Sequence, residues 1–235
     1  MTTSDFVSRE DWLERRRTLL AEEKAFTRER DRLSAARRNL PLVLIDKDYV
    51  FDTNEGRKTL ADLFGPNRQL AVYHFMFGED WKEGCPSCSF WADNYEGLDV
   101  HLAARETTLL SISNAPLEIL NAYKKRMGWT FEWVSTAGNG FGVDFGVTFP
   151  NKENPTGLGY NYTGQAFTEE LPGFSTFLKL EDGRIGHSYS TYGRGLDILN
   201  MAYNILDATP LGRNEQDLPY AQSWVKRHDM YAAKG

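Results

Sequence analysis

The sequence predicts an α/β domain, a central mixed sheet flanked by helices, with a long helix before it and an extension after it. Three observations carry this. Strand-like and helix-like runs alternate from Leu70 to Leu206, a highly charged stretch free of Gly and Pro fills Ser8 to Arg38, and the chain turns polar from Gly212. The expected organisation is a helical arm over residues 1–40 and a domain over 41–209 with an irregular insertion at about 138–173, followed by an extension over 210–235. With 235 residues, 41% of them hydrophobic, the chain can bury a sizeable core.

In order, Ser8 is the expected N-cap of the arm helix, with Glu10 and Asp11 in its first turn and Pro41 beyond its end. Ten basic residues against seven acidic ones give this helix a net charge of +3, leaving about -9 on the rest. Trp12, Leu19, Phe26 and Leu33 recur every seven residues, with Leu13 and Leu20 beside two of them. So narrow a stripe suits a solvated helix held by a few anchors; the alternative is a homodimerisation arm.

After Pro41, Leu42–Ile45 and Asp48–Phe51 are expected to pair as a hairpin, followed by Gly56 and a helical turn at Thr59–Phe64. Leu70–Phe77, L-A-V-Y-H-F-M-F, has the near-continuous apolar character of a strand covered on both faces. A polar loop then leads into C-P-S-C-S-F-W and a helix to about Arg105, interrupted at Gly97. A strand at Thr107–Ser113, a helix at Pro116–Met127 stopped by Gly128, and a strand at Thr130–Val134 follow. Gly138–Gly173 has no sustained period and is expected to form a lid, with Gly138, Gly140 and Gly142 giving it mobility. Phe174–Leu180 and Arg184–Thr191 form a hairpin about Glu181-Asp182-Gly183, and Leu196–Leu206 is a helix with Ile198, Leu199, Met201, Ala202 and Ile205 on its apolar side. Trp224, Val225 and Tyr231 are the expected anchors of the tail.

Composition removes several function classes. A net charge of -6 and no basic stripe argue against a nucleic-acid partner. No apolar run approaches the roughly 20 residues of a membrane helix, so no membrane partner is expected. The N-terminus M-T-T-S-D-F-V-S-R-E has no basic and apolar leader pattern, making the cytoplasm the expected location.

The two cysteines, Cys85 and Cys88, stand three apart and concentrate the chemistry. Pro86 suits the first position of a helix, which makes Cys85 its N-cap and puts Cys88 one turn further in. N–H groups of the first turn, including those of Ser87 and Cys88, then favour a Cys85 thiolate as nucleophile, while Cys88 is within disulfide reach as the resolving thiol. Zinc is disfavoured: His74, His101, His187 and His228 are scattered and no second Cys-x-x-Cys exists, so no metal and no cofactor is expected. Ser89 in place of His removes haem attachment. Plain core packing of the pair is the remaining bland reading.

From Leu70 to Leu206 the order of strand, Cys-Pro-x-Cys helix, strand, helix and antiparallel hairpin resembles the thioredoxin superfamily. The lead-in G-R-K-T-L-A-D-L-F-G at Gly56–Gly65 and the extra strand at Thr130–Val134 resemble its peroxiredoxin-like branch. More closely, G-C-P-S-C-S-F-W at Gly84–Trp91, Y-K-K-R-M-G-W at Tyr123–Trp129, D-F-G-V at Asp144–Val147 and Y-S-T-Y-G-R-G-L-D at Tyr189–Asp197 resemble a bacterial thioredoxin-like family catalogued as a domain of unknown function. The resemblance implies a thioredoxin-like fold and no substrate. It also sets three departures: Ser175 stands where a substrate-facing proline is expected, Gly84 where thioredoxins carry Trp, and Lys82 where peroxiredoxins carry a hydroxyl residue.

Around the pair, Glu79, Asp80, Glu83 and His74 are candidate proton acceptors, Trp81 and Trp91 candidate apolar contacts, and Arg126 and Arg194 candidate thiolate stabilisers. Each has an equally ordinary structural reading. The function expected is thiol–disulfide oxidoreduction on a protein or small-molecule disulfide. The alternatives are a thiol peroxidase and a non-enzymatic redox-responsive interaction module.

Overall fold

The computed structural model describes residues 6–136, 138–165 and 168–231; residues 1–5 of the arm, Ala137, residues 166–167 of the insertion and 232–235 of the extension lie outside the described residues. The chain divides into two compact units, Met1–Pro41 and Leu42–Gly235.

The first unit is one helix, α1 (Arg9–Arg38), capped by Ser8, whose Oγ accepts the N–H of Asp11 at 3.1 Å. Acidic residues in its first turn and Arg37 and Arg38 in its last complement the macrodipole. Its heptad-spaced residues Trp12, Leu19, Phe26 and Leu33 are 43–69% exposed, and no residue of α1 is buried.

In the second unit the elements run β1 (Val43–Leu44), β2 (Val50–Thr53), β3 (Gly56–Thr59), β4 (Gln69–His74), α2 (Pro86–Ala92), α3 (Asp99–Ala103), β5 (Thr107–Ser113), α4 (Leu117–Met127), β6 (Glu132–Ser135), α5 (Phe141–Asp144), β7 (Gly173–Lys179), β8 (Ile185–Tyr192) and α6 (Met201–Asp207). All eight strands form one sheet in the order β1-β8-β7-β4-β5-β6-β2-β3. β4, β5 and β6 are parallel, and β7 and β8 add antiparallel strands on the other side of β4. A parallel strand pair with a helix opening after its first strand, joined to an antiparallel hairpin, is the thioredoxin-like fold.

Two sequence expectations are corrected here. Leu42–Ile45 and Asp48–Phe51 do not pair with each other: β1 joins β8, where Leu42 fills the space above Gly186, and β2 folds back on β3 through a turn at Asn54-Glu55 that needs the positive φ of Gly56. The helix expected over Leu196–Leu206 is two pieces, a 3₁₀ turn at Gly193–Leu199 and α6, separated by Asn200 in an extended conformation. Asn200 instead caps α6, its side chain accepting the N–H of Tyr203 at 3.1 Å. The break resets the helical phase, so Ile198, Met201 and Ile205 face water and Leu196 and Tyr203 are buried in their place. A similar break after α2 falls at Gly97, with φ +73°, as the sequence suggests.

The alternation of β4 assigns the two cores. Tyr73 points, with Phe75 and Phe77 beyond the strand, into a core shared with Cys88, Trp91, Tyr123, Trp133 and Tyr203; Leu70 and Val72 point into a second core with Phe51, Phe64, Leu110, Ile112 and Phe177. The insertion supplies part of that second core. Phe141 and Phe145 pack within it, and Phe149 is also buried, so residues 141–149 are structural packing and not a lid. Further on, Tyr160 is tied down: it donates to Pro172 O at 2.8 Å and accepts the N–H of Gly193 at 2.8 Å.

Candidate active site around Cys85 and Cys88

Beyond the last ladder position of β4 the chain keeps an extended course, and Phe75 N–H reaches Ile112 O at 2.9 Å. It then loops out over 78–84 and returns, so that Cys85 N–H donates to Met76 O at 3.2 Å. Gly84 is required at the return. A Cβ there would sit 2.7 Å from Phe75 Cε1 and 2.9 Å from Tyr123 Cε1, so the aromatic wall of the first core leaves no room for the Trp of thioredoxins.

Cys85 is the N-cap of α2 and Pro86 its first residue. Both cysteines are free thiols, Cys85 partly exposed and Cys88 buried. No N–H makes a capping bond of full geometry to Cys85, and α2 has only seven residues, so helix end effects are modest. The hydrogen bond from Cys88 acts most strongly on Cys85; the N–H groups of Cys88 and Ser87 and the charge of Arg227 add to it, and against the cost of burial they lower the thiol to about 6. Cys88 moves the opposite way. Burial pushes it well above the ordinary thiol range, assisted by Cys85 and only partly offset by Met76 N–H and the Tyr73 hydroxyl. The pair is therefore asymmetric, one thiol prone to ionise at the surface and one held protonated behind it.

The other sequence candidates separate. His74 and Ser175 lie on the opposite face of the sheet from the cysteines. His74 Nε2 is 2.8 Å from Ser175 Oγ, which is 2.7 Å from Ser190 Oγ, in turn 2.8 Å from His187 Nε2. Burial, with His187 nearby, drives His74 down to about 3, so it is neutral and remote as a base for Cys88. Pro172 stands immediately before β7, and no cis peptide bond occurs among the described residues. Ser175 is thus not a substrate-facing residue, because the register places it opposite Val72, inside the second core.

Trp91 is core: its Nε1 donates to Leu196 O at 2.8 Å and its ring meets Phe90 and Tyr203 edge-on. Trp81 is partly buried over Gly78 at the start of the loop. Glu79 is exposed, and its charge acts on Glu170. Arg194 is 88% exposed and paired with Asp197 at 3.2 Å. Arg126 bridges Glu83 and Asp229.

Four contributors escaped the sequence reading. Met76 bonds both cysteines through its main chain. Tyr123 and Ser89 form a hydroxyl pair at 2.9 Å, and Ser89 Oγ donates to Cys85 O at 2.9 Å. Arg227, from the tail, reaches Gly84 O. Only the tail residues near Trp224 and Val225 hinted that this segment docks; nothing local marks Arg227. Among the described residues no group of three or more His, Cys, Asp or Glu could hold a metal ion, and no helix is long and apolar enough to cross a membrane.

The chain is similar in structure to peroxiredoxin Q of Xanthomonas campestris, at 12% identity and a TM-score of 0.48 over 72% of this chain and 98% of that one. It is similar to the peroxidoxin BcpB of Mycobacterium tuberculosis at 14% identity and a TM-score of 0.46, over 70% and 94% of the two chains. The mitochondrial 2-Cys peroxiredoxin of Plasmodium falciparum gives 13% identity and a TM-score of 0.42, over 71% and 92%. Among curated proteins, none matches the chain in sequence. A family profile does match, over residues 1–231, and the chain accordingly belongs to DUF899, a family of bacterial proteins of unknown function.

Proposed function

We propose that the chain is a thiol–disulfide oxidoreductase working through Cys85 and Cys88. The observation that carries this reading is the asymmetry of the pair: a partly exposed Cys85 lowered to about 6 beside a buried Cys88 raised well above the ordinary range. The Cys85 thiolate attacks one sulfur of a substrate disulfide, forming a Cys85–substrate bond and releasing the other sulfur as a thiolate. Cys88 then loses its proton and attacks Cys85 Sγ. The second substrate sulfur leaves, two electrons have passed to the substrate, and the chain holds a Cys85–Cys88 disulfide. An external dithiol restores it.

Reduction of insulin disulfides with dithiothreitol as the dithiol tests this, wild type against Cys85→Ser. A rate that falls to the uncatalysed level in the variant is expected; equal rates overturn the reading. Peroxide consumption with a thiol donor, run alongside, distinguishes the peroxidase alternative.

A further inference from the structure

Of three consecutive tail residues, Arg227 and His228 contact the two ends of α2 and Asp229 contacts Arg126 of α4. Arg227 donates to Gly84 O from Nη2 at 2.8 Å and from Nε at 3.2 Å, and its Nε also donates to Tyr123 Oη at 3.0 Å. Its Nη1 lies 3.1 Å from a carboxylate oxygen of Glu83. At the other end, His228 Nδ1 is 2.7 Å from Oδ1 of Asp93, the C-cap of α2. Asp229 accepts from Arg126 at 2.7 Å, and Arg126 is the second cation on Glu83.

The hydrogen-bond directions around Arg227 run one way. Ser89 gives its proton to Cys85 O, so the Tyr123 hydroxyl donates to Ser89 and accepts from Arg227. The guanidinium therefore fixes Gly84 O directly and Cys85 O through Tyr123 and Ser89, the carbonyls of the peptide units on either side of Cys85. It does so from a side chain only 13% exposed, while Glu83, its one ionic partner among the described residues, is 46% exposed and shared with Arg126. A guanidinium held mainly by neutral acceptors keeps most of its field for its surroundings.

We propose that Arg227 is a positioning residue for Cys85, carried in by the tail to fix both flanking peptide units and to hold positive charge beside the sulfur. This rests on the redox reading of the pair. Among the described residues, the charged and titratable groups facing Cys85 or its clamp include Cys88, Tyr73, Tyr123, Glu83, Arg126, Asp229, His228 and Arg227, so substitutions of Arg227 and Glu83 should act in opposite directions.

The test is titration of the Cys85 thiolate by its absorbance near 240 nm in the full chain, for wild type, Arg227→Gln, Arg227→Lys, Glu83→Gln and the control Arg194→Gln. Arg227→Gln is expected to raise the Cys85 value by about 0.5–1 unit, Arg227→Lys by less, and Glu83→Gln to lower it; Arg194→Gln leaves it in place. Glu83→Gln changes an exposed side chain and keeps the test decisive if Arg227→Gln does not fold. A low wild-type value unmoved by Arg227→Gln, a rise in Glu83→Gln, or an equal shift in Arg194→Gln overturns the role of Arg227 alone. A wild-type value near the ~8.5 of a free thiol overturns the redox reading as well.

Discussion

Met76 N–H donates to Cys88 Sγ across 3.4 Å, and the carbonyl of the same residue accepts from Cys85 N–H. One residue just past the end of β4 thus sets the height of both sulfurs above the sheet. The two thiols consequently differ in access and not only in acidity, and their substitutions should fail differently. Cys85→Ser should lower disulfide reduction on the order of 100-fold, with no covalent adduct. Cys88→Ser should accept substrate and stop, accumulating a mixed disulfide on Cys85 that intact-mass measurement detects at one substrate equivalent. An adduct on Cys88 in the Cys85→Ser chain would reverse the assignment.

Gly84→Ala tests how tightly the loop is seated. The added Cβ meets two aromatic rings from the packed first core at under 3.0 Å, and neither ring has open space to move into. Destabilisation of about 1–3 kcal/mol is expected, with a matching fall in Tm. Because Gly84 O is also the acceptor of Arg227, Cys85 should titrate higher in the same variant. Full stability in Gly84→Ala would mean the loop is looser than its contacts indicate.

Much of this arrangement is legible in the sequence where a signal is local. L-A-V-Y-H-F-M-F announces a central strand because both its faces are covered, and Pro86 places Cys85 at a helix start through its missing N–H. What escaped depends on tertiary register. His74 looks like a site residue because it is 11 positions from Cys85, yet strand alternation turns it to the other face from Tyr73 and Phe75. Ser175 is misplaced for the same reason, since the proline position is counted back from the start of β7 to Pro172, and that boundary is fixed by pairing with β4. Arg227 has no periodic context at all, and only the folded tail shows that it meets a carbonyl 143 residues away.

The face assignment makes a prediction of its own. His74→Gln should leave the Cys85 titration within about 0.2 unit of wild type, because no charge or hydrogen bond connects the two across the sheet. Stability should still fall by roughly 1–3 kcal/mol, since the substitution disturbs the buried His74–Ser175–Ser190–His187 chain. A Cys85 value that moves with His74 would return the histidine to the site.

Glu170 gives the clearest pH signature. The carboxyl is 8% exposed and receives Asn114 Nδ2 at 2.7 Å and Thr148 Oγ1 at 3.2 Å. Burial, with the charges of Glu79 and Glu169 nearby, outweighs these bonds and raises it to about 7 from the 4.5 of a free Glu. Between those values the native state holds a proton that the unfolded chain has lost, so this group lowers stability as pH rises from about 4.5 to about 7. His74 acts with the opposite slope, protonated in the unfolded chain but not in the native one between about 3 and 6.5, so the two effects partly cancel in mild acid. Glu170→Gln removes the first slope and keeps the second. Its amide oxygen can accept from Asn114 and its NH₂ can donate to Thr148 Oγ1, so both contacts survive. Urea unfolding at pH 5 and pH 8 should show the variant gaining roughly 2 kcal/mol on wild type between the two conditions. A gap that stays constant with pH would mean that Glu170 ionises in the folded chain as readily as in the unfolded one.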